Sequence, residues 1–301
     1  MRTLRLFFLA VTGFFLLAGC ETLANIGTSV GVATGTISDS QADSIKESAK
    51  AVAKSFEDIT PEQEYYIGRA VGANVLAMHE PWSEEKANEY LNRLGQSLAL
   101  ASDRPETFGG YHFLVLDSEE INAFAAPSGL IFVSKGMLRC TTNEDTLAAV
   151  LAHEIGHVQH RHGLQAIKKS RITTALASVA FTSIQVAGAE EVAELTAVFD
   201  DSIMDITTTM INNGYSRAFE SEADHAAVEI LKRVGYDPNA LIELLKIMDK
   251  RLEHGGLDFA KTHPDPEDRI KDVRKAIDDY KPDVTSSQVR QNRYKAASGN
   301  L

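Results

Sequence analysis

One pentapeptide constrains this chain more than any other stretch: His153-Glu154-Ile155-Gly156-His157. On an α-helix, two histidines four residues apart differ by about 40° in azimuth and one turn in height, so both imidazoles can reach one metal ion. Glu154, beside the first histidine, is placed to take a proton from an attacking water rather than to ligate, the division of labour expected around a single zinc ion. Leu147, Val150 and Leu151 precede the motif with helical periodicity, and Gly156 leaves room for another backbone. A catalytic site of this kind wants a third protein ligand and an open fourth position.

Glu220 is the candidate third ligand. In Arg217-Ala218-Phe219-Glu220-Ser221-Glu222-Ala223-Asp224, Glu220 and Asp224 share a helical face, while Glu222 points about 160° away from Glu220. Asp224 could accept the free ring N–H of a ligating histidine and fix its tautomer. Alone, the segment reads as a solvated acidic face; beside a histidine pair it reads as the ligand-bearing helix.

The rest of the chain organises around these two helices. Arg2 and Arg5 precede the apolar run Leu6 to Leu17, which is short for a membrane span and has the length of an export signal. It leads into Leu17-Ala18-Gly19-Cys20, which resembles a lipobox, so residues 1–19 are expected to be a lipoprotein signal peptide and Cys20 the lipidated residue. Glu21 after the cysteine favours an outer-membrane anchor facing the periplasm, again by resemblance. Cys140 is expected to be a buried thiol. Residues 20–58 read as a tether and N-terminal helix, with Gly27, Gly31 and Gly35 suiting either a flexible linker or a closely packed helix.

The folded domain is expected over 59–283. Thr60-Pro61-Glu62 caps a helix reaching about Met78, and a second helix covers roughly Ser83 to Ala101. Strands are expected at 111–116, 121–125 and 130–133, and helices from Lys135 onward, with breaks near Gly163, Gly188, Gly214, Gly235 and Gly255. The fold class is therefore α+β, mainly helical with a small sheet. Ile172 to Gly188 is long and apolar but interrupted by polar residues, which suits a buried or site-covering helix rather than a membrane span. Residues 284–301 are polar and expected to fray. The net charge is −12, and −14 once Arg2 and Arg5 leave with the signal, so nucleic acid is not an expected partner.

His-Glu-Ile-Gly-His followed some sixty residues later by Ser-Arg-x-x-Glu-x-Glu-Ala-Asp resembles the HtpX-like and CAAX-prenyl-type zinc endopeptidases, over about Thr60 to Tyr280. The resemblance implies a zincin-type domain with Glu220 as third ligand. It matches Asn122 to Gly129 to an edge strand and turn beside the active site, and His263-Pro264 with Arg269 to a late His-Pro motif. A sheet edge can pair with an extended peptide, so Phe124, Ala125 and Ala126 are the expected substrate-binding residues. His263 is expected either to donate to the oxyanion or to occupy the open metal position at rest. With Glu154 and Asp224 it completes the candidate catalytic set. Arg269 is expected to pair with Asp224 or another carboxylate of the site, and Arg217 to support the ligands. The membrane helices of the integral-membrane members are lacking, which points to a soluble lipoprotein branch. His160, although on the face of the pair, lies about 10 Å along the axis from His153 and cannot share its ion. His79, His112, His162, His225 and His254 are left as structural or solvated.

The function implied is a zinc endopeptidase of the bacterial cell envelope acting on unfolded or misassembled proteins. A zinc-stabilised chaperone or assembly factor that binds extended segments with little cleavage is the alternative, and Glu154 argues against it because a pure binder needs no general base. A purely structural zinc would want four closed ligands.

Overall fold

The computed structural model describes residues 59–165, 200, 201, 203–252, 262, 263, 266–282 and 284–298. The expected signal peptide, Cys20, the tether with its spaced glycines, the Ile172 to Gly188 helix, the breaks at Gly188 and Gly255, His254 and Pro264 all lie outside these residues.

Two helices come first, α1 (Pro61–Met78) and α2 (Glu85–Ala99). Proline at the first position and Glu62 and Glu64 in the first turn start α1 where its unsatisfied N–H groups favour them. Three strands follow, β1 (His112–Leu116), β2 (Ala123–Ala126) and β3 (Leu130–Ser134), in the order β1-β3-β2. β3 is central, parallel to β1 and antiparallel to β2 with Phe124 opposite Phe132. The β2–β3 connection is the tight turn Pro127–Gly129, with Ser128 at φ 65° and Gly129 at φ 94°.

The two edges of this sheet are handled differently. Along β1, the amides of Asn88, Asn92 and Gln96, one turn apart on α2, stand in for a fourth strand. Asn92 donates to the Phe113 carbonyl at 2.6 Å and accepts from the Phe113 N–H at 3.1 Å, Asn88 accepts from the Val115 N–H at 2.9 Å, and Gln96 donates to the Tyr111 carbonyl. Side-chain amides thus close the edge that would otherwise pair with another chain. β2 is an edge without such a ladder among the described residues. Its side chains are nevertheless all buried, Phe124 and Ala125 at 4 % exposure and Ala126 at 0 %. The π-helical turn Thr209–Asn213 packs against it. Phe124, Ala125 and Ala126 are therefore not an open shelf; what β2 can offer a peptide is backbone.

After α3 (Lys135–Cys140), the central helix α4 (Glu144–Gln159) carries the histidine motif. Asn143 and Thr146 form its capping box: Thr146 N donates to Asn143 Oδ1 at 2.8 Å, and Asn143 N to Thr146 Oγ1 at 3.1 Å. Every residue from Thr146 to Val158 is buried, as expected for a helix packed on several sides. Then come a short turn of helix α5 (His162–Gln165), α6 (Arg217–Val234), α7 (Asn239–Leu252), α8 (Pro266–Ile277) and α9 (Ser287–Ser298). The chain breaks at Gly214 and Gly235 as the sequence suggests, whereas the break near Gly163 falls earlier, at Arg161. α6 lies on α4 at Gly156, where a Cβ would stand 2.8 Å from the Ala223 carbonyl oxygen and 2.9 Å from its Cα. Only glycine permits this approach, and it brings Glu220 and Asp224 to the histidines.

The expected frayed tail is a docked helix over Ser287–Ser298. Tyr294 is buried and its hydroxyl donates to the Thr141 carbonyl at 2.6 Å. Arg290 pairs with Asp145 at 3.1 Å, and Arg293 with Glu144 at the start of α4. A few polar anchors hold α9, so it lacks the apolar stripe that marks a helix in sequence. Leu147, Val150, Leu151, Ala227, Val228, Leu231, Leu241 and Leu245 sit in one core with the inner face of the sheet. Cys140 is buried. No described helix is long and apolar enough to cross a membrane.

Candidate metal centre

Four side chains from three segments converge. His153 and His157 come from α4, Glu220 from the first turn of α6 and His263 from the connection before α8, and one donor atom of each lies within 4.8 Å of all the others. His153 Nε2 stands 3.1 Å from His157 Nε2 and 3.4 Å from Glu220 Oε2, and His157 Nε2 is 3.5 Å from Glu220 Oε1. Ligand atoms about 2.0–2.1 Å from a tetrahedral zinc are separated by about 3.3 Å, so the three spacings suit one small cation. His263 Nδ1 adds itself at 3.1 Å from His153 Nε2 and 3.0 Å from both Glu220 oxygens.

The surroundings set the protonation states. Asp224 Oδ1 lies 2.9 Å from His153 Nδ1 and pairs with that side of the ring, while Nε2 faces the cluster. Arg269 grips Asp224 with Nε and Nη2 at 2.7 and 2.8 Å, donates from Nη1 to the His263 carbonyl at 3.1 Å and reaches Glu220 Oε2 at 2.9 Å. Burial pulls the His153 pKa down, but Asp224 and Glu220 outweigh it and push it up to about 9. His157 goes the other way, held well below the usual value by burial and by the charge on His153. Burial also opposes ionisation of Asp224 and Glu220. Arg269 wins at Asp224, which falls to about 2, and His263 with Arg269 wins at Glu220, held well below the carboxylate range.

Glu154 is buried beside this cluster, and neither of its oxygens has a hydrogen-bond partner among the described residues; the nearest cation-capable atom is His263 Nε2 at 3.7 Å. Burial pushes its carboxyl pKa up. A buried carboxyl without a hydrogen-bond partner among the described residues is expensive to keep. Together with the converging imidazole nitrogens and the Glu220 carboxylate, it suits a cation, so the residues present fit a metal ion.

One expectation needs correction. Arg217, at the first position of α6, is exposed and pairs on the surface with Asp268 at 2.7 Å, because the helix start turns its side chain away from the ligands. His162, expected to be structural or solvated, is structural and stands against the site. It is fully buried, its Nδ1 lies 2.8 Å from His157 Nδ1, and its Nε2 lies 3.0 Å from Glu222 Oε2. Tyr215 also escaped sequence reasoning: its ring stacks on His157 at 4.5 Å, and burial raises its hydroxyl pKa. Nothing in residue spacing announces either contact, since both depend on turns outside the motif helix. His160, His112 and His225 stay outside the cluster; the latter two bond to the carbonyls of Gly109 and Ser221.

A buried His-Glu-x-x-His helix crossed by a second helix bearing a glutamate, in a mainly helical domain with a small mixed sheet, defines a zincin-type metallopeptidase. Residues 85–277 match peptidase family M48, and the chain belongs to that family. It is 31 % identical over 227 residues to the beta-barrel assembly-enhancing protease of Escherichia coli K12, covering 74 % of this chain and 45 % of that protein. It is 32 % identical over 158 residues to the mitochondrial metalloendopeptidase OMA1 of Schizosaccharomyces pombe, covering 50 % and 42 %. The chain thus spans about half the length of the curated relatives it matches.

Proposed function

We propose that the chain is a zinc endopeptidase of the bacterial cell envelope, holding one ion with His153, His157 and Glu220 and cleaving unfolded or misassembled envelope proteins. The observation that carries this is the buried cluster of donor atoms with the Glu154 carboxyl, unpartnered among the described residues, at its side. The assembly-enhancing proteases supply the envelope context, and the lipobox-like sequence at Cys20 supplies an anchor, with the outer membrane facing the periplasm as its site. These features fit a soluble lipoprotein branch related to the HtpX-like and CAAX-prenyl-type enzymes.

Zinc, when bound, would polarise the scissile carbonyl and acidify the attacking water. Glu154 takes the proton from that water and returns it to the leaving amine. The edge of β2 holds the substrate by main-chain hydrogen bonds, which requires Thr209–Asn213 to give way. Asp224 and Arg269 position His153 and Glu220. Of the two roles open to His263, its Nδ1 contacts favour the resting occupant of the fourth position, which must leave before substrate enters.

The test is Glu154→Gln, which keeps shape and ligands. Zinc content should stay at the wild-type level while casein cleavage falls by about 10²–10⁴-fold or more. Equal cleavage by both proteins contradicts the mechanism; binding without cleavage by either supports the chaperone reading.

A further inference from the structure

We infer that His162 and Glu222 form a relay that fixes the tautomer of His157 and strengthens its hold on the metal; this deepens the proposed metal site and rests on it. His162 lies past the end of α4, where Arg161 takes a left-handed conformation at φ 56°. A non-glycine residue adopts this at a cost of about 1–2 kcal/mol. The turn folds the chain back so that the imidazole of His162 returns to that of His157, five residues earlier, at 2.8 Å. The ring is clamped flat between Phe219, at 4.3 Å and 9°, and His160, at 5.4 Å and 14°. Its two nitrogens therefore have fixed directions, one toward His157 and one toward Glu222 at 3.0 Å.

Those directions determine the hydrogens. An ionised carboxylate only accepts, so His162 carries its proton on Nε2 and donates to Glu222. Its Nδ1 then holds a lone pair, and the short N–N contact requires His157 to donate from its own Nδ1. What remains on His157 is a bare Nε2, and that atom faces His153 and Glu220. No proton has to be gained or lost anywhere along the chain. The opposite assignment would set two lone pairs or two N–H groups against each other. His162 and Glu222 are thus positioning residues, doing for His157 what Asp224 does for His153.

The test is zinc affinity of the full chain, read by competition with a chromophoric chelator, together with the melting temperature of each metal-free protein. His162→Phe keeps a flat ring in the stack but offers His157 no acceptor, and affinity should fall about 10–100-fold. His162→Asn places an amide oxygen where Nδ1 stood and should restore most of it. Glu222→Ala, at a half-exposed position, should lose about tenfold without shifting the metal-free melting temperature, and should add nothing in the His162→Phe background. Nitrogen-15 spectra should show His162 protonated on Nε2. Wild-type zinc affinity in His162→Phe, additive losses in the double variant, or a His162 proton on Nδ1 would overturn the relay while leaving the metal site intact. A wild-type chain that takes up no zinc overturns both.

Discussion

The two histidines of the motif are equivalent in sequence, one turn apart on the same helix, yet the protein supports them by opposite means. His153 is backed by a buried charge pair, Asp224 with Arg269, and its pKa is pushed up to about 9; His157 is backed by a neutral imidazole and sits well below its ordinary value. The charged support is closed off in the core, whereas the neutral one ends on the half-exposed Glu222. The two rings thus differ in basicity although the sequence presents them alike. Supporting the second ring through a half-exposed carboxylate spares the core a further buried charge, which costs several kcal/mol before compensation.

The contrast can be broken hardest from the charged side. Asp224→Ala leaves the Arg269 guanidinium buried with one carboxylate fewer, and should cost about 3–5 kcal/mol in chemical denaturation as well as most zinc binding. Glu222→Ala removes the corresponding carboxylate of His157 with little loss of stability; similar destabilisation by both would erase the distinction. Gly156→Ala should come next, because its Cβ would push the backbone at Ala223, and with it Glu220 and Asp224, away from both histidines. About 1–3 kcal/mol of destabilisation is expected, with zinc affinity falling alongside. His263→Ala sharpens the picture at the fourth position: zinc should remain, and casein cleavage should rise if His263 blocks the site, whereas a fall in cleavage would return it to the oxyanion role. The smallest effect belongs to Arg161→Gly, which relieves the left-handed strain while leaving His162 in place. Zinc affinity should hold within error, and a large loss would show that the Arg161 side chain, 3.4 Å from Glu64, matters more than its backbone.

The charged half of the site was legible from spacing, and the neutral half was not. His153, His157, Glu220 and Asp224 obey helical periodicity, so the order of residues alone puts each pair on one face. His162 sits five residues beyond His157, across a turn whose left-handed residue is an arginine, and helical phase ends there. Tyr215 reaches His157 from the residue before the Ser216 cap of α6, again outside any period. The helices and strands of 59–140 were readable from caps and alternation to within a few residues. The amide ladder on β1 was hidden, because Asn88, Asn92 and Gln96 read as an ordinary polar helix face. Helix α9 was hidden for a related reason: Arg290, Arg293 and Tyr294 dock through ionic and hydroxyl contacts that leave no apolar period.

The most direct measurement is anomalous diffraction at the zinc edge from crystals of the zinc-loaded protein. One peak is expected, bonded to His153 Nε2, His157 Nε2 and the Glu220 carboxylate, with Glu154 beside it and not ligating. A peak that includes Glu154 and excludes Glu220, or no peak between the two α4 histidines, would contradict the proposed metal site.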